Sequence, residues 1–174
     1  MVSGTAPKKR SPRARAVLLT FDSSGEAVAL HIPVQNARGS ILEFVTESFG
    51  LVSTQAGRLS WLKDAQKVAD EYDLPLVVID TSKSYAASQG FPPHITRGFV
   101  YCTKKREWKP DLFGRSKLTT AQYAAKHLSA PPLMTKLAEA VCIGAWAECA
   151  APVREILRKT KNGTIHLHRS QKAA

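Results

Sequence analysis

The sequence predicts an α/β protein: a single domain with a mixed β-sheet, built from an N-terminal hairpin and a buried central strand, flanked by helices and with a helical C-terminal third. Two apolar runs near the N-terminus are separated by a turn sequence, which is the pattern of a hairpin. A continuously apolar run at 74–79 follows an amphipathic stretch, as expected for a buried strand after a crossover helix. The last third of the chain carries helical periodicity and helix-starting prolines.

The length and composition predict one domain with short extensions. The chain has 174 residues, and 44% of them are hydrophobic, which is enough for a core. We divide it into a flexible basic arm at 1–14, the α/β domain at 15–168 and a tail at 169–174. No apolar run approaches the roughly 20 residues of a membrane helix, so we expect no membrane partner. The three cysteines form no CxxC pair, which favours the cytoplasm, or the nucleus in a eukaryotic cell.

The strands of the predicted sheet begin close to the N-terminus. Residues 15–22 form an apolar run, Ser23-Ser24-Gly25 is a turn signal, and residues 26–34 alternate as a strand does. Residues 41–49 are compatible with a third strand or a short helix, and their β-branched and aromatic residues favour the strand. The three segments together predict an antiparallel start to the sheet.

A crossover follows the hairpin. Apolar residues recur every three to four positions in the helix predicted over 58–73. The buried strand at 74–79 ends at Asp80, residues 81–89 favour a short helix, and residues 95–103 form another strand. This order predicts parallel strands in the centre of the sheet.

The C-terminal third is predicted to be helical after a basic loop at 104–118. Residues 164–168 alternate and predict a small edge strand. Capping and proline signals predict three helices, over residues 119–127, 133–150 and 152–161.

Positive charge is concentrated at the two ends of the chain and in the predicted loop. The formal net charge is +11. Residues 1–15 hold five bases and no acid, whereas residues 16–102 hold six bases and nine acids. Residues 103–118 hold six bases against two acids, and residues 151–174 hold six against one. A slightly acidic core with basic extensions is typical of proteins that bind nucleic acid, DNA or RNA. The alternative is a basic solubilising surface with disordered tails.

Two segments outside the arm carry residues suited to phosphate contact. Hydroxyls and cations follow the buried strand, and cations of the 104–118 loop are interleaved with Trp108, which can stack a base. Trp108 is equally compatible with a core anchor for the loop. The predicted nucleic-acid-binding residues are Lys8, Lys9, Arg10, Lys83, Arg97, Lys104, Lys105, Arg106, Trp108, Lys109, Arg115 and Lys117.

Asp22 and Asp80 are the predicted catalytic and metal-binding residues, because each follows a predicted strand. Ligand and metal sites collect at the carboxyl ends of strands in α/β sheets. Two converging carboxylates would bind Mg²⁺ or Mn²⁺, the cofactors of a metal-dependent nuclease. The alternative role of each aspartate is a strand-terminating turn residue, in which case no cofactor is expected.

The order of hairpin, third strand, helix and buried strand ending in Asp resembles the ribonuclease-H-like superfamily over residues 15–103. That superfamily places one acid on its first strand, one on its first helix and one at the end of its fourth strand. Residues 20–25 (TFDSSG) resemble the first position and residues 77–82 (VVIDTS) the third. The first turn of the predicted helix offers Ser60 where the superfamily has an acid. The resemblance implies a nuclease or a catalytically degenerate relative that retains only binding.

A second class of function is a protein-interaction or inhibitor module without catalysis, such as a small mobile-element factor that docks on a larger protein machine. Such a module would expose an apolar patch, for which the helix at 133–149 is the candidate. The sequence contains no Walker-type phosphate loop and no HExxH, GxSxG or GxGxxG motif, so it gives no support to the enzyme classes that carry them.

Overall fold

Six strands form one mixed sheet in a computed structural model that describes residues 13–128 and 134–160 and the backbone of 167–169. The strands are β1 (Val17–Phe21), β2 (Ala27–Gln35), β3 (Ile41–Leu51), β4 (Leu76–Asp80), β5 (Gly98–Cys102) and β6 (Leu167–Arg169). Their order across the sheet is β3-β2-β1-β4-β5-β6. β1, β2 and β3 are antiparallel neighbours, and β4, β5 and β6 run parallel to β1. The α/β prediction is therefore confirmed.

Five α-helices accompany the sheet in the described part of the chain. They are α1 (Gln55–Glu71), α2 (Lys105–Phe113), α3 (Thr120–His127), α4 (Thr135–Cys149) and α5 (Ala151–Lys159). The C-terminal third is helical, as predicted. None of the described helices has the length and apolar character that crossing a bilayer requires.

α1 covers one face of the sheet. Thr54 caps its N-terminus by accepting a hydrogen bond from the N–H of Gly57. The buried positions of α1 are Leu62, Ala65, Gln66 and Ala69, which recur at helical spacing. Leu62, Ala65 and Ala69 pack in one cluster with the residues of β1 and β4 that face them, Val17, Leu19, Phe21, Leu76 and Val78. We call this side of the sheet the α1 face.

α4 covers the opposite face. It packs Ala138, Cys142, Ile143 and Trp146 in a cluster with Leu18, Val77 and Ile79, the residues that alternate with those of the α1 face. Gly144 lies against the imidazole of His31 on β2, so close that a Cβ there would lie 2.1 Å from the ring. This side of the sheet is the α4 face.

β3 forms one outer edge of the sheet, and the favoured strand interpretation of 41–49 is correct. Nine of its 11 residues pair in register with β2, and no described strand pairs with its other side. Leu42, Val45, Phe49 and Leu51 are between 38% and 56% exposed. α4 is the helix that was predicted to expose an apolar patch for docking. Its residues 138–144 are buried, so they form no such patch. The large exposed apolar side chains of β3 lie between charged and polar ones.

The structure corrects the predicted basic loop at 104–118, because residues 105–113 form α2. Pro110 within this segment and Gly114 after it locally disfavour a helix. The helix is stabilised by tertiary packing, since Trp108 and Phe113 are buried in the core beneath the α4 face. Trp108 is only 1% exposed, so the core-anchor alternative is right and Trp108 is not available to stack a base.

Three smaller boundaries also differ from prediction. The helix favoured at 81–89 is only a 3₁₀ turn, Lys83–Tyr85, in which Ser84 and Tyr85 have positive φ angles. Ala14, assigned to the arm, is 1% exposed and donates its N–H to the carbonyl of Glu148. The predicted edge strand at 164–168 overlaps β6 only at its end, and residues 164–166 lie outside the described residues, as do 1–12.

Candidate functional site

The predicted site residues divide between the two ends of the central strands. Because β1, β4 and β5 are parallel, Arg97 and the residues that precede β1 lie at one end, which we call the amino end of the sheet. Asp22, Asp80, Lys83 and the residues that follow β5 lie at the other, the carboxyl end. A five-residue strand spans about 17 Å, so the two groups do not form one compact site.

Asp22 closes the β1–β2 turn. One carboxylate oxygen accepts the N–H groups of Glu26 (3.1 Å) and Ala27 (2.9 Å). The other oxygen accepts the N–H (3.2 Å) and the hydroxyl (2.7 Å) of Ser24. Both oxygens are therefore occupied by their own turn, the arrangement typical of an aspartate that organises a hairpin.

Asp80 organises the loop that follows β4. Its side chain is fully buried. One oxygen accepts the N–H (2.9 Å) and the hydroxyl of Ser82, and the other accepts the N–H (2.9 Å) and the hydroxyl of Ser88. Four donors satisfy this buried carboxylate, which explains how a charge is accommodated at the end of a core strand.

The structure does not bring the two carboxylates to one face of the sheet. Asp80 is in register with Phe21 on the neighbouring parallel strand, and both lie toward the α1 face. Side chains alternate along a strand, so Asp22, one residue after Phe21, lies toward the α4 face. Within the described ranges no cluster of three or more His, Cys, Asp or Glu side chains could hold a metal ion. The Mg²⁺ or Mn²⁺ site at Asp22 and Asp80 remains a prediction that this geometry does not support.

Glu139 is a buried acid at the carboxyl end that the sequence prediction missed. It belongs to α4, is 5% exposed, and accepts the N–H of Ser23 at 2.7 Å. Its second oxygen lies 3.6 Å from the ammonium of Lys105. The signal in the sequence was an acid directly before the most apolar part of this helix. Glu139 therefore ties α4 and α2 to the turn after β1.

The cations at the carboxyl end are partly engaged by the protein itself. The ammonium of Lys104 donates to the carbonyl of Ser82 at 2.9 Å and lies 4.3 Å from the centre of the Tyr85 ring. Lys109 lies over the Phe113 ring, 5.4 Å from its centre. The exposed cations of this end and of the segment after α2 are Lys83, Lys105, Arg106, Arg115 and Lys117. Lys8, Lys9 and Arg10 lie outside the described residues.

The amino end of the sheet holds a cavity of about 540 Å³ that is lined by five arginines. Arg13 and Arg15 flank the buried Ala14 in the segment before β1, and Arg97 immediately precedes β5. Arg154 and Arg158 lie one turn apart on α5, so both reach the same side of that helix. We call this the arginine cavity.

Three of the five arginines are neutralised by carboxylates. Arg13 pairs with Glu148 at 3.3 Å, Arg97 with Asp73 at 3.0 Å, and Arg158 with Glu155 at 2.7 Å. The other two have no carboxylate partner in the described part of the chain. They are Arg15, which donates to the carbonyl of Gly39 at 2.7 Å, and Arg154.

Arg154 is the exceptional member of the cavity. Its Nε is buried, and among the residues that the structure describes it has no hydrogen-bond partner. A buried guanidinium N–H without an acceptor is costly, because the group has lost its water without gaining another acceptor. Charge counts mark both terminal segments as basic, but the predicted nucleic-acid-binding residues include none of Arg13, Arg15, Arg154 and Arg158. The spacing of the last two by four residues was the available signal.

Comparison of this chain with protein-family models, with curated proteins and with solved structures found no match.

Proposed function

We propose that this protein binds nucleic acid through the cations at the two ends of its sheet, as a catalytically degenerate binding protein rather than a metal-dependent nuclease. The observation that carries the proposal is the arginine cavity, in which two of five guanidiniums lack a carboxylate partner in the described structure. Arginine is the side chain best suited to phosphate, because its planar donors bind two oxygens at once.

The basic arm adds cations that precede the cavity in sequence. Arg10 stands three residues before Arg13, a stretch of backbone that spans at most about 11 Å. Lys8 and Lys9 adjoin it in sequence. An arm of this kind contributes phosphate contacts that need no fixed structure before binding, because attraction to a polyanion acts at long range.

The noncatalytic half of the proposal rests on the hydrogen bonds of the aspartates. Each of the four oxygens of Asp22 and Asp80 already accepts from its own loop, and a cation would have to displace these donors. Ser60, predicted for the first turn where the resembling superfamily has an acid, lies in the second turn of α1, which begins at Gln55, and is exposed. The strand order, with an antiparallel hairpin beside parallel strands, supports a ribonuclease-H-like origin for the fold. We place the protein in the cytoplasm, or in the nucleus of a eukaryotic cell.

A second candidate function is docking on a larger protein machine. The observation that favours it is the exposed apolar side chains of β3, not α4, whose apolar residues face the sheet. A docking protein would not show salt-dependent binding to nucleic acid. One experiment therefore separates the two candidates.

The experiment is a fluorescence-anisotropy panel of single- and double-stranded DNA and RNA with the full chain, measured across salt concentration and with and without Mg²⁺. For duplex DNA the logarithm of the affinity is expected to fall linearly with the logarithm of the salt concentration, with a slope of about −0.9 per neutralised phosphate. Deletion of residues 1–12 should weaken binding and flatten the slope, because it removes cations.

The matched control replaces Lys63 and Lys67, two exposed cations of α1, with glutamine. This double variant should leave the slope unchanged, since neither lysine lines the arginine cavity or lies at the carboxyl end. Absence of binding at about 50 mM salt, where such contacts are strong, would contradict the proposal. Cleavage that requires Mg²⁺ and is lost in Asp80→Asn would contradict its noncatalytic half.

A further inference from the structure

We infer that the arginine cavity binds a phosphate monoester, either the phosphorylated end of a nucleic-acid strand or a free mononucleotide, in preference to the phosphodiester of an internal backbone. If the ligand is the end of a nucleic-acid strand, the inference rests on the proposed function. If the ligand is a free mononucleotide, the inference does not depend on that function.

The size and shape of the site favour an end group over a continuous backbone. A volume of about 540 Å³ lies within the range of small-molecule pockets, roughly 300–1,000 Å³. A duplex is far too wide to enter a pocket of this size, but a terminal phosphate with its nucleoside fits. A cavity, unlike an open groove, therefore selects the chain end.

The charge of the cavity matches a monoester. Arg15 and Arg154 are the two members without a carboxylate partner in the described ranges, and they supply two uncompensated positive charges. A phosphate monoester carries about −1.5 to −2 at pH 7, whereas an internal phosphodiester carries a single charge. Two uncompensated guanidiniums are more fully neutralised by the monoester.

The hydrogen-bond donors of the cavity also suit three phosphate oxygens. Arg154 offers a buried Nε–H that lacks an acceptor among the described residues. Arg13 and Arg97 are paired with carboxylates, but in the described structure these ion pairs use only Nε of the first and one terminal nitrogen of the second. Each guanidinium carries five N–H donors, so these arginines retain donors for a ligand without adding net charge.

The other residues that line the cavity indicate that it does not distinguish one base of a ligand from another. The apolar lining residues are Ala14, Leu74, Pro75 and Leu157, and among the residues that the structure describes the lining contains no aromatic ring on which a base could stack. Recognition therefore depends on the phosphate, and the identity of the base should matter little.

The test uses the full chain and an internally labelled single strand with a 5′-phosphate, a 3′-phosphate or hydroxyls at both ends. At least one phosphorylated form should bind about tenfold or more tightly than the hydroxyl form, the effect of one or two charge-assisted hydrogen bonds. Arg154→Met, which keeps an apolar stem, should remove this preference. Arg154→Lys keeps the charge but not the Nε donor, and it should retain only part of the preference.

The charge-matched control is Lys126→Met, an exposed cation of α3 that does not line the cavity, and it should keep the full preference. Equal affinity for phosphorylated and hydroxyl ends, with nucleic-acid binding intact, overturns the inference for the strand end and leaves the proposed function in place. Loss of the preference in the control as well would also overturn it.

A second measurement separates the two sources of the phosphate. Mononucleotide monophosphate should raise the Tm of the unmodified chain but not that of Arg154→Met, whereas the unphosphorylated nucleoside should raise neither, because only the phosphate engages the arginines. If this shift occurs while no nucleic acid binds, the cavity takes a free nucleotide, and the inference holds while the proposed function fails. If neither the end preference nor the shift occurs, the inference is wrong.

Discussion

The imidazole of His31 donates a hydrogen bond to the hydroxyl of Thr20, with Nε2 and Oγ1 separated by 2.9 Å. The direction follows from the partners, because the Thr20 hydroxyl donates its only hydrogen to the carbonyl of Ala140 at 2.7 Å. The other ring nitrogen, Nδ1, lies 3.3 Å from the hydroxyl of Thr46, which donates to it. With Nε2 as a donor and Nδ1 as an acceptor, the imidazole is the neutral tautomer that carries its proton on Nε2. The network joins β1, β2, β3 and α4.

The buried imidazole predicts a loss of stability in acid. Burial lowers the pKa of His31 from 6.5 to about 3. As the pH falls from 6.5 toward 3, the unfolded chain binds a proton that the folded chain does not. The free energy of unfolding should therefore decrease by up to about 1.4 kcal/mol for each pH unit in this window. Urea unfolding at several pH values measures this slope.

The control for that slope is His94→Gln, which removes an exposed histidine. It should keep the acid-dependent loss, whereas His31→Gln should be less stable at pH 7 but should lose most of the slope between pH 6 and 4. The same slope in both variants would show that His31 is not its source.

Gly144→Ala should destabilise the protein although alanine is the better helix former. The added methyl gains about 1 kcal/mol of helix propensity. It would also lie 2.1 Å from Cε1 and 2.2 Å from Nε2 of the His31 ring, which is an impossible contact, so α4 must move away from β2. We expect a net loss of about 1–3 kcal/mol by urea unfolding. In the double variant Gly144→Ala/His31→Ala the methyl meets no ring, and the cost of the methyl should be largely removed.

Asp80→Asn should destabilise the fold rather than act only on a metal site. The amide would place an NH₂ group against two of the four donors from Ser82 and Ser88, and the buried site would lose charge-assisted hydrogen bonds. The expected loss is about 2–4 kcal/mol. Asp64→Asn on exposed α1 is the matched control and should change stability little. A rise in Tm on adding Mg²⁺ that is absent in Asp80→Asn would instead indicate the metal site.

Trp108→Ala should act on stability and not directly on binding. The side chain is 1% exposed and packs edge-on against Phe113. Its truncation should cost about 3–5 kcal/mol of unfolding free energy. Trp108→Phe retains most of the packing, so its folded fraction should bind nucleic acid with unchanged affinity. A stable Trp108→Phe variant with weakened single-strand binding would contradict the assignment of Trp108 to the core.

Prediction from sequence succeeded where the residues of one segment were enough to indicate its secondary structure. The continuous apolar run before Asp80 is too short for a typical buried helix and rich in β-branched residues, which together indicate a central strand covered on both faces. The segment that became β3 was ambiguous alone and is fixed as a strand by pairing with β2. α2 was missed because tertiary burial of Trp108 and Phe113 outweighs the local effect of Pro110.

The candidate site was less accessible to the same reasoning. The arginine cavity joins the segment before β1, the residue before β5 and one side of α5, and only the fold brings these distant segments together. The aspartates were correctly located at the ends of β1 and β4. Whether they converge depends on the register of two strands, in which Asp80 lies opposite Phe21. A shift of one residue in the register moves a side chain to the other face of the sheet. Neither the composition nor the residue spacing of the chain reveals the register.

The exposed edge of β3 has a consequence for the protein at high concentration. A strand of 11 residues with one edge unpaired in the described structure is a template on which a second chain can add its own strand and begin an aggregate. Glu43 and Glu47 are exposed on this strand, between the apolar residues. Two copies paired antiparallel about the middle of β3 would bring these four carboxylates close together, and their repulsion would oppose that pairing. The two glutamates would thus favour colloidal stability in a chain whose remaining charge is mostly positive.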